Sequence, residues 1–131
     1  MVFGTFDGLH PGHMSFFKQA MTLAKPCFLI ISIARDKNVL KIKGQYPTLN
    51  EKQRMALVKK SGLANKVMLA GRENYLSHIT KMHPDIIALG YDQRAYVKNL
   101  RRDLKNKRMA VKIVRLKPYK EKIYKNRLLK W

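Results

Sequence analysis

The stretch Gly4-Thr5-Phe6-Asp7-Gly8-Leu9-His10-Pro11-Gly12-His13 joins the apolar opening run Met1-Val2-Phe3 to an amphipathic segment that begins at Pro11. An apolar run, then glycines, then apolar residues at helical spacing reads as a strand turning tightly into a helix. Pro11 suits the first helical turn, where its missing N–H costs nothing, and Phe16, Phe17, Ala20, Leu23 and Ala24 give a helix over Pro11 to Ala24 one apolar face. In open α/β sheets, ligands bind at such a junction. Gly4, Gly8 and Gly12 let the backbone approach a ligand, and the helix start presents N–H groups to an anion. His10 and His13 add two imidazoles that can donate to a phosphoryl group whose charge grows in a transition state. A structural or capping role is the alternative for this pair, and zinc would need a third ligand that the neighbouring sequence lacks.

The same alternation continues along the chain. Strand candidates are Met1 to Thr5, Cys27 to Arg35, Lys66 to Ala70, Asp85 to Leu89 and Val111 to Leu116, rich in the Val, Ile and Leu of strands buried on both faces. Helices are expected over Thr48 to Ser61, where Thr48-Leu49-Asn50-Glu51 reads as a capping box, and over Glu73 to Met82, Arg94 to Lys105 and Ile123 to Lys130. Asp36 to Pro47 has no clear periodicity and reads as a long mobile loop of the kind that carries function. His78 and His83 flank an amphipathic helix and take surface or capping roles. The expected fold is α/β, a doubly wound five-stranded parallel sheet in one domain spanning residues 1–131.

Composition narrows the function classes. At 131 residues with 46% hydrophobic and 27% charged side chains, the chain is long enough to bury a core, which excludes wholesale disorder. Its one cysteine, Cys27, excludes a disulfide framework and a zinc ribbon and favours a reducing, cytoplasmic setting. No leader pattern precedes the first strand, and the longest apolar run, Cys27 to Ala34, is too short to span a bilayer. The net charge of +20 points to an anionic partner, and residues from Lys98 onward hold 14 of the 28 basic side chains.

Together, Gly4-Thr5-Phe6-Asp7 with His10-Pro11-Gly12-His13, then Ala34-Arg35-Asp36-Lys37, Lys41-Ile42-Lys43-Gly44, Asn50-Glu51-Lys52-Gln53-Arg54 and Gly90-Tyr91-Asp92-Gln93, closely resemble the cytidylyltransferase-like nucleotidyltransferase family. The order and approximate spacing are those of its small members, which include glycerol-3-phosphate cytidylyltransferase and short archaeal-type FAD synthases. The resemblance covers nearly the whole chain and is specific for the superfamily but weak for the substrate.

It implies a Rossmann-like fold and transfer of a cytidylyl or adenylyl group from an NTP, accompanied by Mg²⁺, to a phosphate-bearing small acceptor, with release of pyrophosphate. His10 and His13 would hold the α- and β-phosphates, with Gly4, Thr5, Phe6, Asp7 and Gly12 around the nucleotide. Lys41 and Lys43 would approach the phosphates or the acceptor, against the alternative of a solvated basic loop. Arg54 matches a family arginine at the acceptor or phosphate, although a helix surface is its default place. Gly90 and Asp92, at the end of the fourth strand, would face the nucleotide or the acceptor, the alternative for Asp92 being a helix N-cap. Small members are often dimers, so a homodimer is a further expectation, and a few residues usually precede the first strand.

The chain departs from the family near its end. Members usually carry a Ser/Thr-rich segment at the start of the last helix, whereas here Asn126 and Arg127 stand where paired hydroxyl residues are expected, and Lys125, Arg127 and the helix N-terminus would bind the nucleotide phosphates electrostatically. FMN adenylyl transfer is one specific alternative within the class, for which Tyr119 and Tyr124 offer an aromatic wall or simple core packing. From another class, a weakened relative would bind nucleic acid through Arg101, Arg102, Lys105, Lys107, Arg108, Lys112, Arg115 and Lys117. That reading ranks lower, because no aromatic-interleaved or helix-turn-helix pattern accompanies the charge.

Overall fold

A computed structural model describes residues 1–71, 75–91, 93 and 99–118. Five strands, β1 (Val2–Gly4), β2 (Ile30–Ile33), β3 (Lys66–Leu69), β4 (Ile86–Leu89) and β5 (Lys112–Arg115), alternate with helices α1 (Pro11–Met21), α2 (Asp36–Lys43), α3 (Glu51–Lys60), α4 (Tyr75–Met82) and α5 (Leu100–Asn106). The strands form one parallel sheet in the order β3-β2-β1-β4-β5. This is the doubly wound α/β fold expected from the sequence.

Strand alternation divides the core between two faces. Val2 of β1, Ile31 and Ile33 of β2 and Ala88 of β4 pack with Phe17 and Ala20 of α1 and Val58 of α3. Ile87 and Leu89 of β4 pack on the opposite face with Ile79 of α4 and Leu100 and Leu104 of α5, and Phe3 of β1 joins them. Covered on both sides, the central strands have no polar face to spare, which explains their near-continuous apolar runs.

Three sequence expectations change. Asp36 to Pro47 is not simply a loop, because its first part is α2, with Asp36 in the first turn, Lys41 and Lys43 in the last, and Gly44 closing it at φ +77°. Only Val39 of this helix is buried, so the apolar periodicity that would reveal it is missing. The second change is at α3, whose capping box is Asn50 with Gln53 rather than Thr48 with Glu51: the Asn50 side chain accepts from Gln53 N–H, and the Gln53 side chain accepts from Asn50 N–H. The third concerns His78, which is neither superficial nor a cap. It is 6% exposed and shares a 2.9 Å hydrogen bond with the buried Ser32 of β2, on the sheet face that α4 covers. His83 does sit at a helix end, exposed, with its N–H bonded to Ile79 O. The expected helix over Ile123 to Lys130 and most of the start of that over Arg94 to Lys105 lie outside the described residues.

Candidate active site

The sheet order reverses between β1 and β4, so the crevice at the carboxyl ends of these two strands is the topological switch point. The β1–α1 turn, Thr5 to His10, forms one wall. Gly90, Tyr91 and Gln93, following β4, form the other.

The turn is built around Phe6, a non-glycine residue at φ +52° whose buried ring meets His13 edge-on at 5.5 Å and Phe17 at 5.2 Å. Burial of that ring opposes the cost of left-handed backbone. Gly4 makes the fold-back feasible, since a Cβ there would stand 2.5 Å from the Phe6 ring. His10 is the N-cap of α1: its Nδ1 accepts from Gly12 N–H at 2.9 Å, and the ring lies so close that a Cβ on Gly12 would stand 2.6 Å from it. His13 completes the box through Nδ1, which accepts from His10 N–H at 3.4 Å. The two rings stack at 3.9 Å.

This geometry sets the histidines' chemistry. A neutral imidazole whose Nδ1 accepts a backbone N–H carries its proton on Nε2 and donates from there. Burial lowers the His10 pKa from 6.5. Burial, followed by the charge of His10, pushes His13 down to about 4, although a backbone hydrogen bond with Gly8 opposes the shift. At neutral pH both rings are therefore neutral donors. Capping uses Nδ1 of both rings and a phosphate would be met by Nε2, which in His13 competes with the hydrogen bond to the Gly8 backbone.

Asp7 spans to the segment before α3, its carboxylate accepting from Thr48 N–H and Leu49 N–H at 2.7 Å each. Arg54 is 0% exposed, far from the surface position that a charged helix residue has by default. Its guanidinium donates to Thr5 O at 2.8 Å, Leu49 O at 3.1 Å and Asp36 Oδ1 at 2.6 Å, so it holds the β1–α1 turn against α2 and α3. Arg35 extends this network to Ala70 O and to Glu51, which receives Asp36 N–H. Lys41 and Lys43 are exposed on the last turn of α2.

Across the crevice, Gln93 bridges the two strand ends: its side chain donates to Phe3 O and accepts from Gly90 N–H, both at 3.2 Å. Arg115 donates to the carbonyls of Gly90, Tyr91 and Gln93, so one member of the basic surface expected from the sequence instead fastens a crevice wall. Sequence reading missed Gln93, whose role depends on where β4 pairs. Asp92, Lys125, Asn126 and Arg127 lie outside the described residues, as do Tyr119 and Tyr124.

Among the described residues no group of three His, Cys, Asp or Glu side chains is placed to hold a metal ion. Both oxygens of Asp7, the acidic residue in the turn, receive backbone N–H groups.

A doubly wound sheet whose switch-point crevice carries two histidines at a helix N-terminus fits the class of proteins that handle a nucleotide's phosphates. The chain belongs to the cytidylyltransferase-like family, whose profile matches residues 1–126. It is 40% identical over 118 residues to the FAD synthase of Methanosarcina barkeri, covering 90% of this chain and 82% of that one. With the FAD synthase of Methanothermus fervidus it shares 38% identity over 122 residues, covering 92% and 83%. Its fold matches the crystal structure of the lipopolysaccharide core biosynthesis protein from Thermoplasma volcanium GSS1 with a TM-score of 0.82 at 31% identity, covering 91% and 95%. The chain is thus an enzyme, a nucleotidyltransferase of the cytidylyl- or adenylyl-transferring kind. Among the described residues, no helix is long and apolar enough to cross a membrane.

Proposed function

We propose that this chain, acting as one cytoplasmic domain over residues 1–131, transfers the adenylyl group of ATP to the phosphate of FMN, forming FAD and pyrophosphate. The observation that carries the reading is its similarity to FAD synthases, 40% and 38% identical over 90% and 92% of its length. A phosphate oxygen of FMN attacks the α-phosphorus of ATP in line. The new P–O bond forms as the bond from the α-phosphorus to the oxygen bridging the β-phosphate breaks, and pyrophosphate leaves; Mg²⁺ bound to the ATP phosphates would offset their charge.

No covalent enzyme intermediate is required, so the protein's contribution is positioning and charge stabilisation. His10 and His13 donate from Nε2 to the α- and β-phosphates, where negative charge accumulates, His13 exchanging its bond to the Gly8 backbone for one to phosphate. Lys43 and Lys41 draw the acceptor phosphate toward the same point. Gly90 and Asp92 contact the nucleotide, while Lys125 and Arg127 hold the β- and γ-phosphates by charge and Asn126 by donation from its side-chain amide, in place of hydroxyls. Arg54 and Asp7 act as positioning residues, through Thr5 O and through Thr48 and Leu49 respectively. A homodimer is part of this reading, and sedimentation would test it.

Purified protein with Mg²⁺, ATP and FMN is expected to produce FAD and pyrophosphate in equal amounts, with His13→Ala as the blank. The likeness to a lipopolysaccharide core biosynthesis protein motivates a parallel assay with CTP and phosphorylated polyols or sugars. Turnover there, without FAD formation from FMN, would replace the flavin reading with a cytidylyl one.

A further inference from the structure

We propose that the ring of Tyr46, four residues beyond the exposed Ile42, is the platform on which the acceptor's isoalloxazine stacks. This rests on the FMN reading above and names the residue that would select the acceptor's ring.

Among the described residues the large hydrophobic side chains left exposed are Met21, Phe28, Ile42 and Tyr46. Met21 ends α1 and Phe28 precedes β2, which places both toward the amino-terminal ends of the strands, away from the crevice. Ile42, 47% exposed, and Tyr46, 61% exposed, lie in the segment that returns from α2 to α3. Thr48 and Leu49 of that segment are fastened to Asp7, three residues before His10. Tyr46 is two residues from Thr48, and an extended chain covers at most about 7 Å over that separation, so its backbone is tethered beside the β1–α1 turn.

Single exposed apolar residues are ordinary on protein surfaces. Here the exposed aromatic is instead held out by a loop whose neighbouring amides are bound to a carboxylate, which lowers the ordering cost of binding. Its surroundings match the two halves of FMN. Tyr46 and Ile42 offer a flat apolar contact for a large heterocycle, for which aromatic stacking is the usual means of recognition. Lys41 and Lys43, exposed on the same turn of α2 as Ile42, offer charge to the 5′-phosphate. A small phosphorylated polyol would use the lysines and leave the ring idle.

The test compares wild type with Tyr46→Ala, Tyr46→Phe and, as a control at the other end of the sheet, Phe28→Ala. FAD formation gives KM for FMN and for ATP, and quenching of flavin fluorescence on titration with each protein gives FMN affinity independently of turnover. Tyr46→Ala is expected to raise KM for FMN and weaken the quenching titration about tenfold, with KM for ATP and kcat within about twofold. Tyr46→Phe and Phe28→Ala should behave as wild type. If wild type makes FAD and Tyr46→Ala leaves both FMN readouts unchanged, the platform is wrong and the FMN reading stands. Should wild type make no FAD, the FMN reading fails and the platform fails with it, an outcome distinct from FAD formation that is indifferent to Tyr46.

Discussion

The guanidinium of Arg54, in the helix that follows the α2–α3 segment, donates to the carbonyl oxygen of Thr5 at 2.8 Å, at the end of the first strand. The same side chain reaches Asp36 Oδ1 at 2.6 Å and Leu49 O at 3.1 Å, with no exposure to solvent. One buried cation thus binds the start of α2, the approach to α3 and the β1–α1 turn. Its planar fork of donors suits this task, whereas a lysine could present only a point charge.

Arg54→Met should therefore cost stability first and activity with it. The change strips a donor from two carbonyls and leaves the Asp36 carboxylate, 24% exposed, without its cation. Removing one partner of a buried pair costs about 3–5 kcal/mol, and the partial exposure of Asp36 reduces that to about 2–4 kcal/mol. Calorimetry should show Tm lowered by about 10 °C. Arg54→Lys should recover only part of the loss, and a full recovery would show that charge alone suffices.

Arg54 also marks where the sequence stops being legible. The five parallel strands and the tight turn between the first strand and the first helix followed from apolar runs and from Gly4, Gly12, His10 and His13, because both-face burial and tight turns leave local traces in composition. A buried arginine leaves none: its default is the surface, and only the arrival of Thr5, Leu49 and Asp36 from three segments makes its burial tolerable. The same holds for His78, whose Ser32 partner is 46 residues away. The start of α3 failed for a related reason. Thr48 and Asn50 both begin acceptable capping patterns, and the choice is made by distant Asp7, which binds Thr48 N–H and Leu49 N–H and so keeps both in the loop.

Asp7→Asn tests that tether. An asparagine offers one acceptor oxygen where Asp7 uses two, and its amide would face the remaining N–H with a donor. Each lost charge-assisted bond is worth about 1–2 kcal/mol at a partly exposed site. Amide exchange at Thr48 and Leu49 should accelerate about tenfold or more, with KM for the acceptor rising and Tm falling by only a few degrees. Unchanged exchange at both amides would mean that the loop is held by other contacts.

The two histidines should separate in their variants. His10→Ala removes the N-cap of α1, so it should cost about 1 kcal/mol of stability together with activity. His13→Ala keeps that cap bond and removes an Nε2 donor, so kcat should fall by about two to three orders of magnitude with a smaller change in Tm. Steady-state kinetics beside thermal denaturation distinguishes the two patterns. Parent-like turnover in His13→Ala would remove this residue from the chemistry.

Lys43→Ala probes charge without architecture. Lys43 ends α2 exposed, ahead of the Gly44 cap, so the fold should not register its loss. A cation that draws in the acceptor phosphate contributes to binding, and its removal should raise KM for one substrate severalfold with little change in kcat. The effect should shrink as salt is raised, because an exposed cation is screened. Kinetics identical to the parent's at low salt would leave Lys43 a solvated surface residue.

The lowered pKa of His13 fixes the sign of a pH effect on stability. In the folded protein this ring stays neutral down to about pH 4, whereas in the unfolded chain it takes up a proton near 6.5. Between those values the unfolded state binds more protons, so stability rises with pH across the window. Its contribution is fully present above about pH 6.5 and is lost as the pH falls toward 4. One proton corresponds to about 1.4 kcal/mol per pH unit at most, so acidification from pH 7.5 to 5 should cost wild type about 1–2 kcal/mol through this ring. His13→Gln keeps a side-chain acceptor for His10 N–H and cannot titrate, so its urea midpoint should fall less over the same interval. Groups common to both proteins cancel in the comparison, and parallel pH profiles would show that His13 is not held neutral by the fold.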